Sequence, residues 1–262
     1  MIVLENFALF KENLFKIRVK INFYSYKIGM IGIIGLSFDT ITIKCKAKAA
    51  LLKFNNSQVL ILGSEHTRDS KHPQFSFFRS LFEAFNPEIV LTEGGFNPSS
   101  FSSSIEAIRK DGERGFMVYL CKKNKIKYKS ADPPFSKIIS FLTKKFPLKQ
   151  VFIFLVLNEI ADLKKDINKK IKEIILILKK YKAFRNLSIK SIPKNFLRNR
   201  KKQIDPNQNI SLFNEIAREE SRFRDDYTKR LIFKLTKRFH RIIVLKGMGH
   251  FDELITYYNV TM

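Results

Sequence analysis

Val59-Leu60-Ile61-Leu62-Gly63-Ser64-Glu65-His66 is an apolar run that ends at a glycine and reaches a histidine three residues later. A short Val/Ile/Leu run closed by glycine reads as a strand buried on both faces. The pattern returns at Ile242-Ile243-Val244-Leu245-Lys246-Gly247-Met248-Gly249-His250. The chain of 262 residues holds 10 glycines and 4 histidines. By composition, the chance that two of the histidines follow a glycine at this distance is roughly one in a hundred. The two stretches are therefore read as two uses of one device, a strand that delivers a histidine at its carboxyl end.

Between them the chain alternates strand, loop and helix. That order predicts an α/β fold with a mostly parallel or mixed central sheet flanked by helices. Apolar residues at 75, 77, 78, 81, 82 and 85 predict a helix over 75–85, stopped by Asn86-Pro87. Ile89-Val90-Leu91 predicts a strand ending at Thr92-Glu93-Gly94-Gly95. Residues 105–124 predict a helix broken at Asp111-Gly112, and 126–130 a short strand ending at Asp132-Pro133-Pro134. Helical spacing over 135–146, 149–183 and 211–239 predicts a helical insertion over about 135–210, interrupted by Pro147 and the basic stretch 186–209. Within it Val151 to Leu157 is apolar all round, either a buried helix or a lid over an apolar pocket. After the last strand a short helix is expected from Asp252.

The main domain is accordingly placed at 57–258, with residues 1–56 as a β-rich extension. Phe15, Ile17, Val19, Ile21 and Phe23 alternate with Lys16, Arg18, Lys20 and Asn22, and a second alternation runs through Ile41, Ile43 and Cys45. These predict a hairpin on a sheet edge, where lysines discourage further pairing. The apolar stretch at 28–37 is shorter than the 18 or so residues of a spanning helix. It leaves export or membrane attachment as an alternative to a cytoplasmic location.

Lys and Arg number 49 against 24 Asp and Glu, a formal charge of +25. The apolar fraction of 45% and 26 phenylalanines nevertheless require a core and exclude a disordered polycation. Lysine accounts for most of the excess, and single-sign lysine runs usually face water. The basic stretch at Arg198-Asn199-Arg200-Lys201-Lys202 has no interleaved aromatics, so nucleic acid is not expected as a partner. Weak contact with an anionic membrane surface stays open. Cys45 and Cys121 form neither a CxxC pair nor an even framework, which argues against a disulfide scaffold and a thiolate zinc site.

Four predicted strands end in a side chain able to bind metal or move a proton: His66, Glu93, Asp132 and His250. In an open parallel α/β sheet, ligands bind outside the carboxyl ends of the strands. Two imidazoles with one or two carboxylates suit a divalent transition metal whose bound water becomes a nucleophile near neutral pH. Glu65 or Glu93 would serve as general base where not bound to metal. The glycine before each histidine is expected to allow a tight turn after the strand and to leave room for substrate. His72 and His240 are read as a loop residue and a helix-terminal residue.

Gly63-Ser64-Glu65-His66 and Gly247-Met248-Gly249-His250 resemble the paired GxxH motifs of the Tiki/TraB family, and Glu93 resembles its strand-terminal glutamate. Glu220-Ser221-Arg222-Phe223-Arg224-Asp225 is similar to the family's Arg-Asp helix, Asp132 stands where members carry an aspartate, and Glu113 resembles a helix glutamate. The resemblance covers about residues 57–258. It departs at Ser64, where threonine is commoner, and it has no counterpart for the middle helices or for residues 1–56.

The family contains metal-dependent proteases and is similar in fold to erythromycin esterase and to a haem-binding lipoprotein group. What the resemblance implies is a metallohydrolase site, with Mn or Co favoured and Zn allowed. His66, His250, Glu93 and Asp132 would be ligands, and Arg224 would stabilise negative charge. The leading expectation is a metal-dependent hydrolase acting on a peptide or ester bond of a peptide or small-molecule substrate. Two alternatives stand beside it: a non-catalytic binder of haem or a small anion in the same cleft, and a polyanion or membrane-surface binder built on the charge. Oligomeric state is left open.

Overall fold

A computed structural model describes residues 30–33, 36–42, 47–54, 56–94, 100–160, 167–193 and 212–261. The strand expected over 15–23 and the basic stretch 198–202 lie outside these residues. The chain divides into two compact units, one of Met1–Asp132 with Tyr227–Met262, the other Pro133–Asp226.

The first unit is an α/β sandwich. Its strands are β1 (Met30–Ile33), β2 (Leu36–Thr42), β3 (Lys48–Phe54), β4 (Ser57–Ser64), β5 (Ile89–Thr92), β6 (Lys127–Ser130) and β7 (Arg241–Gly247). They lie in one sheet in the order β1-β2-β3-β4-β7-β5-β6. β4, β7, β5 and β6 run parallel, and β1 to β3 add on antiparallel beside β4. The sheet is thus mixed with a parallel core. The boundary expected at residue 56 falls inside the β3–β4 hairpin, where Lys48 pairs Gly63 and Phe54 pairs Ser57. Ala49-Ala50-Leu51-Leu52 is buried on both faces of the sheet, which makes β3 part of the core.

β4, β5 and β7 alternate their side chains between two apolar layers. Leu60, Leu62, Val90, Ile243 and Leu245 pack with α1 (Gln74–Phe85) and α2 (Ser104–Lys123) on one face. Val59, Ile61, Ile89, Leu91, Ile242 and Val244 pack on the other with Leu231, Ile232 and Leu235, and with Phe251, Leu254 and Tyr258. α1 ends as the sequence predicts, at Asn86 in the left-handed conformation (φ 48°). Ser103 caps α2, its hydroxyl accepting the Glu106 N–H at 3.1 Å. The break expected in this helix is present at Asp111 (φ −141°, ψ 20°) and Gly112 (φ 57°, ψ −140°).

The second unit is helical: α3 (Phe135–Lys145), α4 (Leu148–Ile160), α5 (Ile167–Leu178) and the first part of α6 (Leu212–Thr236). Its core is built on α4, where every residue from Val151 to Leu157 is at most 5% exposed. Phe152 and Phe154 are fully buried, and Phe141 stacks on Phe223 at 4.3 Å between ring centroids. The run read as either buried helix or lid is therefore the buried helix. Among the described residues no helix is long and apolar enough to cross a membrane.

The last helix, α7 (Met248–Thr261), begins directly after β7. The sequence places its start at Asp252. His250 consequently stands in the first turn of a helix.

Candidate functional site

The carboxyl ends of β4, β7 and β5 are neighbours, so their last residues share one edge. Ser64 is level with Gly247, Gly63 with Lys246, and Thr92 with Leu245. The two glycine-histidine motifs are thus side by side, although 184 residues separate Gly63 from Gly247 in the numbering.

Neither motif glycine has a positive φ; among the described glycines only Gly94 and Gly112 do. The tight turn expected of Gly63 and Gly247 is therefore not their role. Each makes room for the other motif instead. A Cβ on Gly63 would lie 2.9 Å from Met248 Sδ and 2.9 Å from Phe251 Cγ, on the α7 face. A Cβ on Gly247 would lie 3.0 Å from His66 Nε2 and 3.4 Å from Glu93 Oε2, on the opposite face.

His66 follows β4 in a loop held by Gln74. That side chain is fully buried and mimics a strand partner: Gln74 Oε1 accepts the Glu65 N–H at 3.0 Å, and its Nε2 donates to the Glu65 carbonyl at 2.9 Å. The His66 Nδ1 is 2.5 Å from Glu113 Oε1. With Glu113 ionised, Nδ1–H is the donor, which leaves Nε2 an acceptor facing Gly247. The kink in α2 sets this contact. Gly112 lies against the loop, where a Cβ would be 3.0 Å from the Thr67 carbonyl oxygen, and Glu113 follows directly.

Glu93 follows β5 and is held by its backbone, its N–H donating to the Leu245 carbonyl at 3.0 Å. Its Oε2 accepts the Gly247 N–H at 2.6 Å, and its Oε1 is 3.4 Å from His250 Nε2. The carboxylate therefore sits at the start of α7, where exposed N–H groups and the helix dipole favour negative charge. Glu93 and His250 are largely buried, with 19% and 16% of their side chains exposed, whereas His66 is 71% exposed. His66, Glu93 and His250 are brought together around Gly247.

The remaining expected site residues have partners of their own. Asp132 receives Lys246 Nζ on Oδ1 at 2.8 Å and the Gly94 N–H on Oδ2 at 2.6 Å. It is an ion-pair partner, not a fourth ligand beside the histidines. Glu65 Oε2 is 3.3 Å from His72 Nε2, so its carboxylate faces His72. Arg224 belongs to the second unit, where its guanidinium is 3.9 Å from Glu220 one turn back. His240 accepts no helical role: it precedes β7, with Nδ1 2.6 Å from the Asn56 carbonyl.

Sequence reasoning missed Lys246 and Gln74. Lys246 is fully buried at the end of β7, and the only signal for it is its place directly after an apolar strand.

Chemically, the donor set fits a divalent metal: two imidazoles whose Nε2 atoms are turned inward, one carboxylate, and a second carboxylate on the outer nitrogen of His66. As the side chains stand, no group of three or more His, Cys, Asp or Glu among the described residues is arranged to hold one. No family model, curated protein or solved structure matches the chain.

Proposed function

We propose that this protein is a metal-dependent hydrolase of the Tiki/TraB type, acting on a peptide or ester bond. The observation that carries the reading is the meeting of His66 Nε2 and Glu93 Oε2 beside Gly247, with Glu93 Oε1 3.4 Å from His250 Nε2. These three residues close two sequence motifs and a third strand, and a motif repeated at adjacent strand ends is the arrangement a shared ligand requires.

His66 and His250 would hold the metal through Nε2, and Glu93 through Oε1. When bound, such an ion supplies Lewis acidity and makes a ligating water nucleophilic near neutral pH. Glu113 fixes the tautomer of His66 by accepting its Nδ1–H. Glu93 Oε2 keeps its carboxylate fixed on the Gly247 N–H, so that Oε1 is the oxygen presented to His250. Mn or Co is preferred by resemblance, and Zn suits the same donors.

A panel of fluorogenic peptides and nitrophenyl esters, assayed with chelator-stripped protein and with Mn²⁺, Co²⁺ or Zn²⁺ restored, tests the activity. Metal-dependent turnover lost in Glu93→Gln supports the reading. Turnover that ignores chelation would remove the metal from it.

A further inference from the structure

We propose that the buried Lys246–Asp132 pair is a positioning element for Glu93; the inference rests on the hydrolase reading in assigning Glu93 to the site. The bonds form a closed circuit. Glu93 Oε2 holds the Gly247 N–H, Lys246 precedes Gly247, Lys246 Nζ holds Asp132 Oδ1, Asp132 Oδ2 holds the Gly94 N–H, and Gly94 follows Glu93. Ser130 Oγ donates to the Gly94 carbonyl at 2.7 Å, so both backbone polar groups of Gly94 are fixed, one in each of its two flanking peptides. Gly94 itself is at φ +87°, a conformation that L side chains rarely adopt, and a Cβ there would lie 2.8 Å from an Arg114 guanidinium nitrogen.

The pair is an unusual choice on stability grounds alone. Lys246 is 0% exposed and Asp132 8%. Removing two charges from water costs several kcal/mol each, and apolar replacements of similar size are often neutral or stabilising. Strand alternation puts Lys246 on the face of Ile242 and Val244, where an apolar residue would suit the layer. What an apolar pair would not do is hold the Gly94 N–H, and through it the peptide that carries Glu93. Lys246 orients the Asp132 carboxylate so that its second oxygen reaches Gly94. Neither residue needs to touch substrate.

The test uses the full chain and three variants. Lys246→Met with Asp132→Leu removes both charges and the acceptor for Gly94, and Lys246→Met with Asp132→Asn restores an amide oxygen. Glu93→Gln is the reference. Two quantities are read after folding is checked by circular dichroism: the His250 ring resonances in long-range ¹H–¹⁵N spectra at one fixed pH without metal, and Co²⁺ affinity by titration.

The Met/Leu protein is expected to fold, to shift the His250 resonances in the direction of Glu93→Gln, and to bind Co²⁺ at least tenfold more weakly; the Met/Asn protein recovers part of both. A folded Met/Leu protein with wild-type resonances and affinity overturns the proposal. Should that protein not fold, Lys246→Met with Asp132→Ala, which likewise lacks the acceptor for Gly94, carries the same comparison, movement supporting and its absence overturning. Wild-type protein that binds no Co²⁺ counts against the hydrolase reading, while the metal-free resonances still decide the positioning role.

Discussion

His66 Nε2 lies 3.0 Å from the position a Cβ on Gly247 would occupy. The glycine of the second motif is thus the seat of the first motif's histidine, and Gly63 returns the relation by seating Met248 and Phe251 on the other face of the sheet. The two glycines should respond differently to alanine. In Gly247→Ala the obstructed neighbour is an exposed ring, so stability should change by under about 1 kcal/mol while metal affinity falls at least tenfold. In Gly63→Ala the neighbour Phe251 is 2% exposed, and overpacking should cost about 1–3 kcal/mol. Denaturant titration and Co²⁺ binding on both variants separate the two effects.

Gln74 is the second target, because it satisfies the Glu65 N–H and carbonyl from a fully buried position. Gln74→Leu keeps the volume and strands both groups. A loss of about 1–3 kcal/mol is expected, with His66 backbone amide exchange accelerated more than that of β7. Uniform acceleration across the sheet would show that the loop has no dependence on Gln74.

The break in α2 is the third. Gly112 combines φ 57° with ψ −140°, a region open essentially to glycine, and it lies against the Thr67 backbone. Gly112→Ala should destabilise by about 2 kcal/mol or more and separate Glu113 from His66. An alanine variant of wild-type stability would mean that the kink is not required.

How far the sequence discloses this fold depends on the scale of the feature. β4, β5 and β7 are apolar runs of the right length, and the break at Asp111-Gly112 is written in a local dipeptide. The adjacency of β4 and β7 is tertiary and has no local signal. For α7, propensity disfavours Met248-Gly249-His250 as helix, but the Glu93 carboxylate on the Gly247 N–H stabilises that start from 154 residues away in sequence. Lys246 reads as a surface lysine until Asp132 is seen beside it. The motif glycines were legible as a turn and as room beside the backbone; what has no local signal is that the room is taken up by the other motif, on opposite faces of the sheet.

Cys121 supplies a prediction that is independent of the site. Burial pushes its thiol up to about 12 from an ordinary value near 9.0. A group whose pKa is raised on folding stabilises the fold fully below its unfolded value and loses that contribution as pH climbs toward the folded value. The contribution of Cys121 should therefore decline between about pH 9 and 12, and Cys121→Ala should flatten that part of the stability curve. At pH 8 in a Cys45→Ala background, a disulfide reagent should modify Cys121 only at the rate of unfolding. Prompt modification would show that the thiol is accessible in the native protein.

The claim that two distant motifs build one metal site is tested most directly by elemental analysis of purified wild-type, His66→Ala and His250→Ala proteins after loading with Mn²⁺ or Co²⁺ and desalting. About one metal ion per chain is expected in the wild type and less than about a tenth in either variant, since each removes one of the two imidazoles of the site. Equal metal content in all three proteins, or none in the wild type, would contradict the account.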